Sequence, residues 1–170
     1  MSHTEVPSTD DVRRLPAYAG SSTPERVPEE WADENGHMNI GHYFRLASHA
    51  VWHRMRDLGM AEDYIAARGH SFFVVEHRLR YLGELRPGQR FSVRGGLVGL
   101  ADKALHGAAF VLDEDGDRVA CTFEAVYVHV AMDTRRAAPV PEDLRTAYAA
   151  EVAAQADWLP EVAQGLALRG

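Results

Sequence analysis

The sequence predicts an α+β domain, and two changes of period carry that reading. Apolar residues recur at helical spacing from Ile40 to Leu58, then alternate at a period of two between residues 72 and 132. A tail from Pro141 onward is rich in alanine and turns helical again. One long helix followed by a run of antiparallel strands is a segregated pattern, in which the helix packs on one face of a curled sheet.

Residues 1–23 mix Ser, Thr, Asp, Pro and Gly without apolar periodicity. They read as a flexible arm, or as an extended segment lying on another surface. From Thr23 to Trp31 two prolines leave a weak first strand that belongs at a sheet edge. The long helix is placed by Ile40, Phe44, Ala47, Val51, Met55 and Leu58 on one stripe, with His42, Arg45, His49, His53 and Arg56 opposite. Asn39 is its natural N-cap, Met38 and Tyr43 occupy the staple positions around it, and Gly59 stops it. A shorter helical segment, MAEDYIAAR, ends at Gly69.

In FFVVEHRLRYL, residues 72–82, Phe73, Val75, Leu79 and Tyr81 share one face with His77, while Glu76, Arg78 and Arg80 take the other. Pro87-Gly88 turns the chain, RFSVRGGLVGL and ALHGAAFVL give two further strands, and DEDGD at 113–117 turns into the longest strand, DRVACTFEAVYVHVAM. The far end of that strand is apolar on both faces, which implies burial from both sides or contact with another subunit. The glycines of GGLVG at 95–99 suit a bulge or tight curvature. The chain therefore divides into an arm over 1–23, one domain over 24–145 and a helical tail over 146–170, broken at Pro160.

The bulk numbers exclude several classes. With 170 residues and 46% hydrophobic content the chain suits one domain with a real core. Eighteen basic against 25 acidic residues give a net charge of −7, which argues against a general nucleic-acid or anionic-membrane surface. No apolar run approaches the ~18 residues of a membrane span, and the polar opening lacks the hydrophobic core of a secretory signal, so the expected location is the cytoplasm. The single Cys121 has no partner for an internal disulfide and sits in a strand as a small buried hydrophobe. There is no GxSxG elbow and no GxGxxG spacing. DEDGD lacks the terminal glutamate of a calcium loop, and the pair His49 and His53 lacks a third zinc ligand, so neither metal nor cofactor is expected.

Chemistry concentrates instead in WADENGHMNIGHY, residues 31–43, at the entrance of the long helix. A helix N-terminus offers unpaired N–H groups and the positive end of the macrodipole, which together stabilise an oxygen that gains charge. Gly41 in the first turn exposes that backbone. Asp33, six residues before the cap on a loop containing Gly36, is placed to fold back and act as base or nucleophile on a carbonyl held there. This combination suits acyl transfer to water from an activated ester such as a thioester. The structural alternative is that Asp33 forms an Asx turn, Asn35 and Asn39 only cap backbone, and His37 is a satisfied loop residue.

The motif D33-x-x-G36-H37-M38-N39 followed by Tyr43, with the later VVEHRLRYLGELRPGQRFSV, resembles the hotdog-fold acyl-CoA thioesterases of the 4-hydroxybenzoyl-CoA thioesterase type, over about Val27 to Leu144. Within that group, PEEWADENGHMN and KALHGAAFVLDEDGDRVA are similar to betainyl-CoA thioesterases. The resemblance implies a curved antiparallel sheet wrapped around one helix, a dimer or a tetramer of dimers with sites at the interface, and an acyl-CoA substrate of which CoA is a part. It implies that Asp33 is catalytic, that N–H groups near Asn39 to Gly41 form the oxyanion hole, and that His37 and Asn35 shape the loop or touch the thioester. Glu76 would order water or meet a cationic acyl group. Tyr43 is included with the substrate-binding residues on the motif. Arg78, Arg80 and the sole lysine, Lys103, are candidates for the phosphates of CoA, since a protein of net −7 needs a concentrated basic patch to hold them. Trp31 would offer an indole face to a trimethylammonium group. Glu34 and the Ala131-Met132 pair depart from the betainyl-CoA-like pattern. Two other readings share the scaffold: a non-catalytic acyl-CoA sensor and a hotdog dehydratase.

Overall fold

Residues 6–17 and 25–168 are described by the structure, a computed structural model. The elements run α1 (Thr9–Arg14), β1 (Glu25–Arg26), a single 3-10 turn (Glu29–Trp31), α2 (Ile40–Asp57), α3 (Tyr64–Arg68), β2 (His70–Tyr81), β3 (Arg90–Leu100), β4 (Ala104–Asp113), β5 (Arg118–Ala131), β6 (Arg136–Ala137), α4 (Glu142–Ala154) and α5 (Leu159–Val162). The strands form one antiparallel sheet in the order β1-β3-β4-β5-β2, with β6 joined to the end of β5. The weak first strand is two residues long, Glu25–Arg26, and sits at the β3 edge, with Pro28 beyond its end.

Helix α2 lies in the concave face of this sheet. Two glycines permit the close approach: a Cβ on Gly95 would stand 3.0 Å from the backbone of Ala50, and one on Gly107 would collide with Val51. The buried face of α2 is Tyr43, Leu46, Ala47, Ala50, Val51 and Met55. This corrects the expected stripe, because Ile40 and Phe44 are 59% and 41% exposed. At the N-terminal turn of the helix Tyr43 is buried and Phe44 touches His77 and Phe123 with part of its ring, while Ile40 stays open.

A bulge between Val74 and Glu76 interrupts the alternation of β2. Phe72 packs inward against Tyr64, His129 and Tyr148 before it, and His77 and Tyr81 face Phe44 and Tyr43 after it. The expected face containing both Phe73 and His77 is therefore split, since one extra residue reverses every following side chain. A second bulge between Leu97 and Gly99 curls β3 where the glycine-rich run indicated it.

The long strand β5 lies inside the sheet, flanked by β4 and β2, and both of its faces are covered. The inner core includes Met38, Tyr43, Val51, Met55, Phe91, Phe123 and Tyr127. A smaller core on the outer face joins Val12 and Leu15 from the N-terminal segment to Phe110, Leu112, Trp158 and Leu159. Burial from both sides thus explains the apolar end of β5, and among the described residues β2 is an edge strand that pairs on one side only. Among the described residues no helix is long and apolar enough to cross a membrane.

Candidate active site

The loop before α2 is closed by backbone pairing. Ala32 and Met38 form an antiparallel bridge, Asp33 donates its N–H to the carbonyl of His37 at 3.1 Å, and Gly36 donates to the carbonyl of Asp33 at 3.0 Å. Gly36 turns the chain at φ 76°, a conformation that costs glycine little. Asn39 donates its N–H to Trp31 O at 2.8 Å, which draws the start of the loop onto the helix entrance. The sequence 31–39 is thereby a short hairpin that sets Asp33 beside His37.

The Asp33 side chain is 12% exposed, and its Oδ1 accepts the N–H of Asn35 at 2.9 Å. That is the Asx turn of the structural alternative, and it commits one carboxylate oxygen. His37 Nδ1 lies 3.8 Å from the same Oδ1 and 3.4 Å from the carbonyl oxygen of Met38. Asn35 acts through its backbone N–H, and its side chain is exposed.

At the helix start, Asn39 caps α2 by accepting the Gly41 N–H on Oδ1 at 2.9 Å, and His42 donates to Asn39 O at 3.0 Å. The Gly41 N–H is therefore occupied, as is that of Asn39. Among the described residues no acceptor meets the N–H of Ile40, which leaves it as the donor with spare capacity at this end. A cleft of about 310 Å³ opens at this point, lined by His37, Ile40 and Tyr43 from the loop and helix, by Tyr81 at the end of β2 and by Leu82 and Glu84 just after it.

The remaining residues singled out in the sequence are disposed as follows. Tyr43 is buried, and its hydroxyl accepts the N–H of Leu85 at 2.9 Å. Burial pushes that phenol up to about 12. Trp31 is partly buried, with His42 stacked on its ring and the Arg45 guanidinium 5.2 Å from its centroid, so one face of the indole is already covered. Glu76, Arg78 and Arg80 pair with Val126, Glu124 and Thr122, and these positions alternate with the core residues Phe123, Ala125 and Tyr127. All three therefore belong to the outer face, with the sheet between them and α2 of the same chain. Lys103 lies at the far end of the sheet, where its carbonyl accepts the N–H of His129. Leu82, beside the cleft, bonds Ala120, and along extended β5 the steps from Ala120 to His129 span roughly 30 Å. A single chain thus joins Asp33, Asn35, His37, Asn39, Gly41, Tyr43 and Trp31 at one place and leaves Glu76, Arg78, Arg80 and Lys103 elsewhere.

Two groups stand outside the sequence reading. Leu85, an apolar residue with no chemical signature, holds the loop by its backbone. Glu124 is buried on the outer face, where it accepts the N–H groups of Gly165 and Leu166 at 3.0 to 3.2 Å and lies 3.2 Å from His106 Nε2. A lone glutamate in the apolar run ACTFEAVYV was the available signal for it. Cys121 is buried, and desolvation pushes its thiol up to about 12. Among the described residues no group of three or more His, Cys, Asp or Glu is placed to hold a metal ion.

Comparison with known proteins places this geometry. A family model described as the thioesterase-like superfamily matches residues 27–148. A protein of Agrobacterium fabrum named L-carnitine dehydrogenase/betainyl-CoA thioesterase is 37% identical over 117 residues, which cover 69% of this chain and 24% of that protein. The betainyl-CoA thioesterase of Pseudomonas aeruginosa is 36% identical over 114 residues, 66% of this chain and 71% of its own length. The chain thus matches only about a quarter of the bifunctional relative. Among solved structures, a Staphylococcus aureus protein in complex with CoA superposes with a TM-score of 0.76 at 24% identity, covering 91% of this chain and 97% of that one. A 1,4-dihydroxy-2-naphthoyl-CoA thioesterase from Synechocystis gives 0.64 at 14% identity, over 74% and 92% of the two chains. These structural likenesses establish the curled-sheet fold.

Proposed function

The chain belongs to the thioesterase-like superfamily, and on that premise we propose that it hydrolyses an acyl-CoA thioester to the free acid and CoA at the entrance of α2. The observation that carries the proposal is the union of a shielded carboxylate and a helix start on one closed hairpin: Asp33 at 12% exposure, with the unpartnered Ile40 N–H following the cap. The thioester oxygen takes the Ile40 N–H, which is fixed by the helix and strengthened by its dipole as negative charge develops. Asp33 acts as base or nucleophile through Oδ2, the oxygen that the Asx turn leaves uncommitted. Water supplies the oxygen of the product acid, and its proton ends on the CoA sulfur. The chemistry calls for no cofactor, because CoA arrives with the substrate. We place the reaction in the cytoplasm, where acyl-CoA is made and used.

The names of the sequence relatives support a small cationic acyl group, betainyl or one of similar size. The unpaired β2 edge and the exposed Ile40, Phe44, Val74, Val75 and Tyr81 support a homodimer joined along β2. Two-fold antiparallel pairing turns the start of one β2 toward the end of the other, where the cleft opens, so a second copy would close each site.

The test is release of CoA thiol from a panel of cationic, aromatic and straight-chain acyl-CoAs by the full chain and by Asp33→Asn. The expected result is turnover of at least one substrate and a loss of about 10²-fold or more in the variant. Tight acyl-CoA binding without thiol release by the full chain would instead identify a sensor.

A further inference from the structure

We propose that the segment 82–86 is a fixed platform that holds the Asp33 hairpin in register, with Tyr43 as the positioning residue that joins the two. The proposal rests on the reading of that hairpin as the catalytic loop. Tyr43 sits in the first turn of α2, and its hydroxyl accepts the Leu85 N–H at 2.9 Å. Leu85 in turn accepts the Met38 N–H on its carbonyl at 2.7 Å. Leu85 and Met38 are fully buried, so water cannot replace either bond. Met38 bridges Ala32, the neighbour of Asp33, and a shift of Met38 is therefore passed to the carboxylate within one backbone pair.

The other side of the platform is tied to β5. Leu82 and Gly83 both donate to the carbonyl of Ala120, at 2.8 and 3.1 Å. The Arg118 guanidinium donates Nη2 to Glu84 O at 3.2 Å and Nε to the buried Asp113 at 2.9 Å. It lies so close to Gly83 that a Cβ there would stand 2.8 Å from Nη1. The segment is thus held from the sheet independently of the loop it supports, and its Leu82 and Glu84 form the wall of the cleft opposite His37 and Ile40. The Tyr43 hydroxyl serves this clasp as an acceptor, and desolvation keeps it protonated, so it takes no part in proton transfer at neutral pH.

Tyr43→Phe keeps the ring and removes the acceptor, leaving the Leu85 N–H buried and unpaired. The expected result is a kcat about tenfold lower with KM changed by less than about twofold, because a misplaced carboxylate slows the chemical step more than binding. Amide hydrogen exchange at Met38 and Leu85 should accelerate while β4 and β5 keep their protection, a pattern that general destabilisation does not give. Arg118→Met, which releases the platform from the sheet side, should move the same two amides and serves if Tyr43→Phe folds poorly. Unchanged exchange at Met38 in both variants, or unchanged kcat in a folded Tyr43→Phe, overturns the proposal. Exchange requires no substrate: faster Met38 exchange in a chain whose wild type turns over no acyl-CoA would sink the thioesterase reading and leave the clasp standing.

Discussion

The indole of Trp31 and the imidazole of His42 are stacked, with ring centroids 4.4 Å apart and planes 11° from parallel. Arg45 extends the stack, its guanidinium 5.2 Å from the indole centroid and one of its nitrogens 3.1 Å from His42 Nδ1. Burial first, and Arg45 second, lower the pKa of His42, so the imidazole is neutral at neutral pH and lies on the indole as a flat uncharged plate. A trimethylammonium group would have to displace this arrangement to reach that face of the ring. Trp31→Leu is accordingly expected to change the ratio of kcat/KM for a cationic against an isosteric neutral acyl-CoA by less than about threefold, although it lowers both. Removing a cation–π interaction from a desolvated site would instead cost ~2 kcal/mol and shift the ratio by more than about tenfold. Steady-state kinetics on the two substrates decides it.

On the proposed mechanism Asp33 has two functions that separate by substitution. Its Oδ1 accepts the Asn35 N–H and so shapes the turn, while Oδ2 would act on the thioester. Asparagine keeps the acceptor and removes the charge. Asp33→Asn should lose about 10²-fold or more in kcat and melt within a few degrees of wild type, whereas Asp33→Ala should lose both the activity and about 1 kcal/mol of stability from the broken turn. Thermal unfolding beside CoA-release assays measures the two losses.

How much of this was legible in the sequence depends on the range of the interaction. The Asn39 cap, the Gly69 stop, the hairpin at 113–117 and the closed loop around Gly36 are local, and composition marks them directly. The exposed turn of α2 was not legible, because Ile40 and Phe44 satisfy the helical stripe as well as any core residue and only the extent of the sheet decides which turns are covered. The bulge at Val74 has no glycine to announce it, and one unmarked residue reversed the faces of Phe73 and His77. Gly41 was a reasonable donor by position, yet the cap that announces the helix also consumes that N–H. Leu85 was invisible because its contribution is wholly main-chain.

His129 makes acid stability a test of the buried polar design. It is fully buried, its Nδ1 lies 3.1 Å from the carbonyl oxygen of Ala138, and its Nε2 lies 2.9 Å from the Tyr64 hydroxyl. A carbonyl only accepts, so Nδ1 carries the proton and Nε2 receives the Tyr64 hydrogen; the ring is neutral and satisfied. Desolvation lowers its pKa below the ordinary histidine value. Between the lowered and the ordinary value the unfolded chain binds the extra proton, so stability rises with pH across that interval. The contribution is complete above about pH 6.5 and is lost as pH falls through the folded-state value. Urea midpoints measured from pH 7.5 to 5 should fall with acid, and His129→Gln, which cannot titrate, should be less stable at pH 7.5 and show a flatter profile.

The β2 edge carries the last expectation. Its 12 residues bond β5 on one side only, and Val74 and Val75 are about half exposed beside the bulge, with Tyr81 near the cleft. Glu76, Arg78 and Arg80 charge the second half of this strand, but no charge guards Val74 and Val75, so the middle of the edge is open to pairing with another strand. A second copy paired with this edge would close that opening and, in the proposed dimer, would cover Ile40 and Phe44 at the start of α2. Light scattering should then report twice the 18.9 kDa of one chain. Val74→Lys places a charge where the two edges would meet and should halve that mass. Because the cleft opens at the end of β2, kcat/KM should fall in parallel with the dimer fraction as Val74→Lys is diluted, while the far-ultraviolet circular dichroism stays that of the intact sheet. A wild-type chain of single-copy mass with full activity would show that each site is complete by itself.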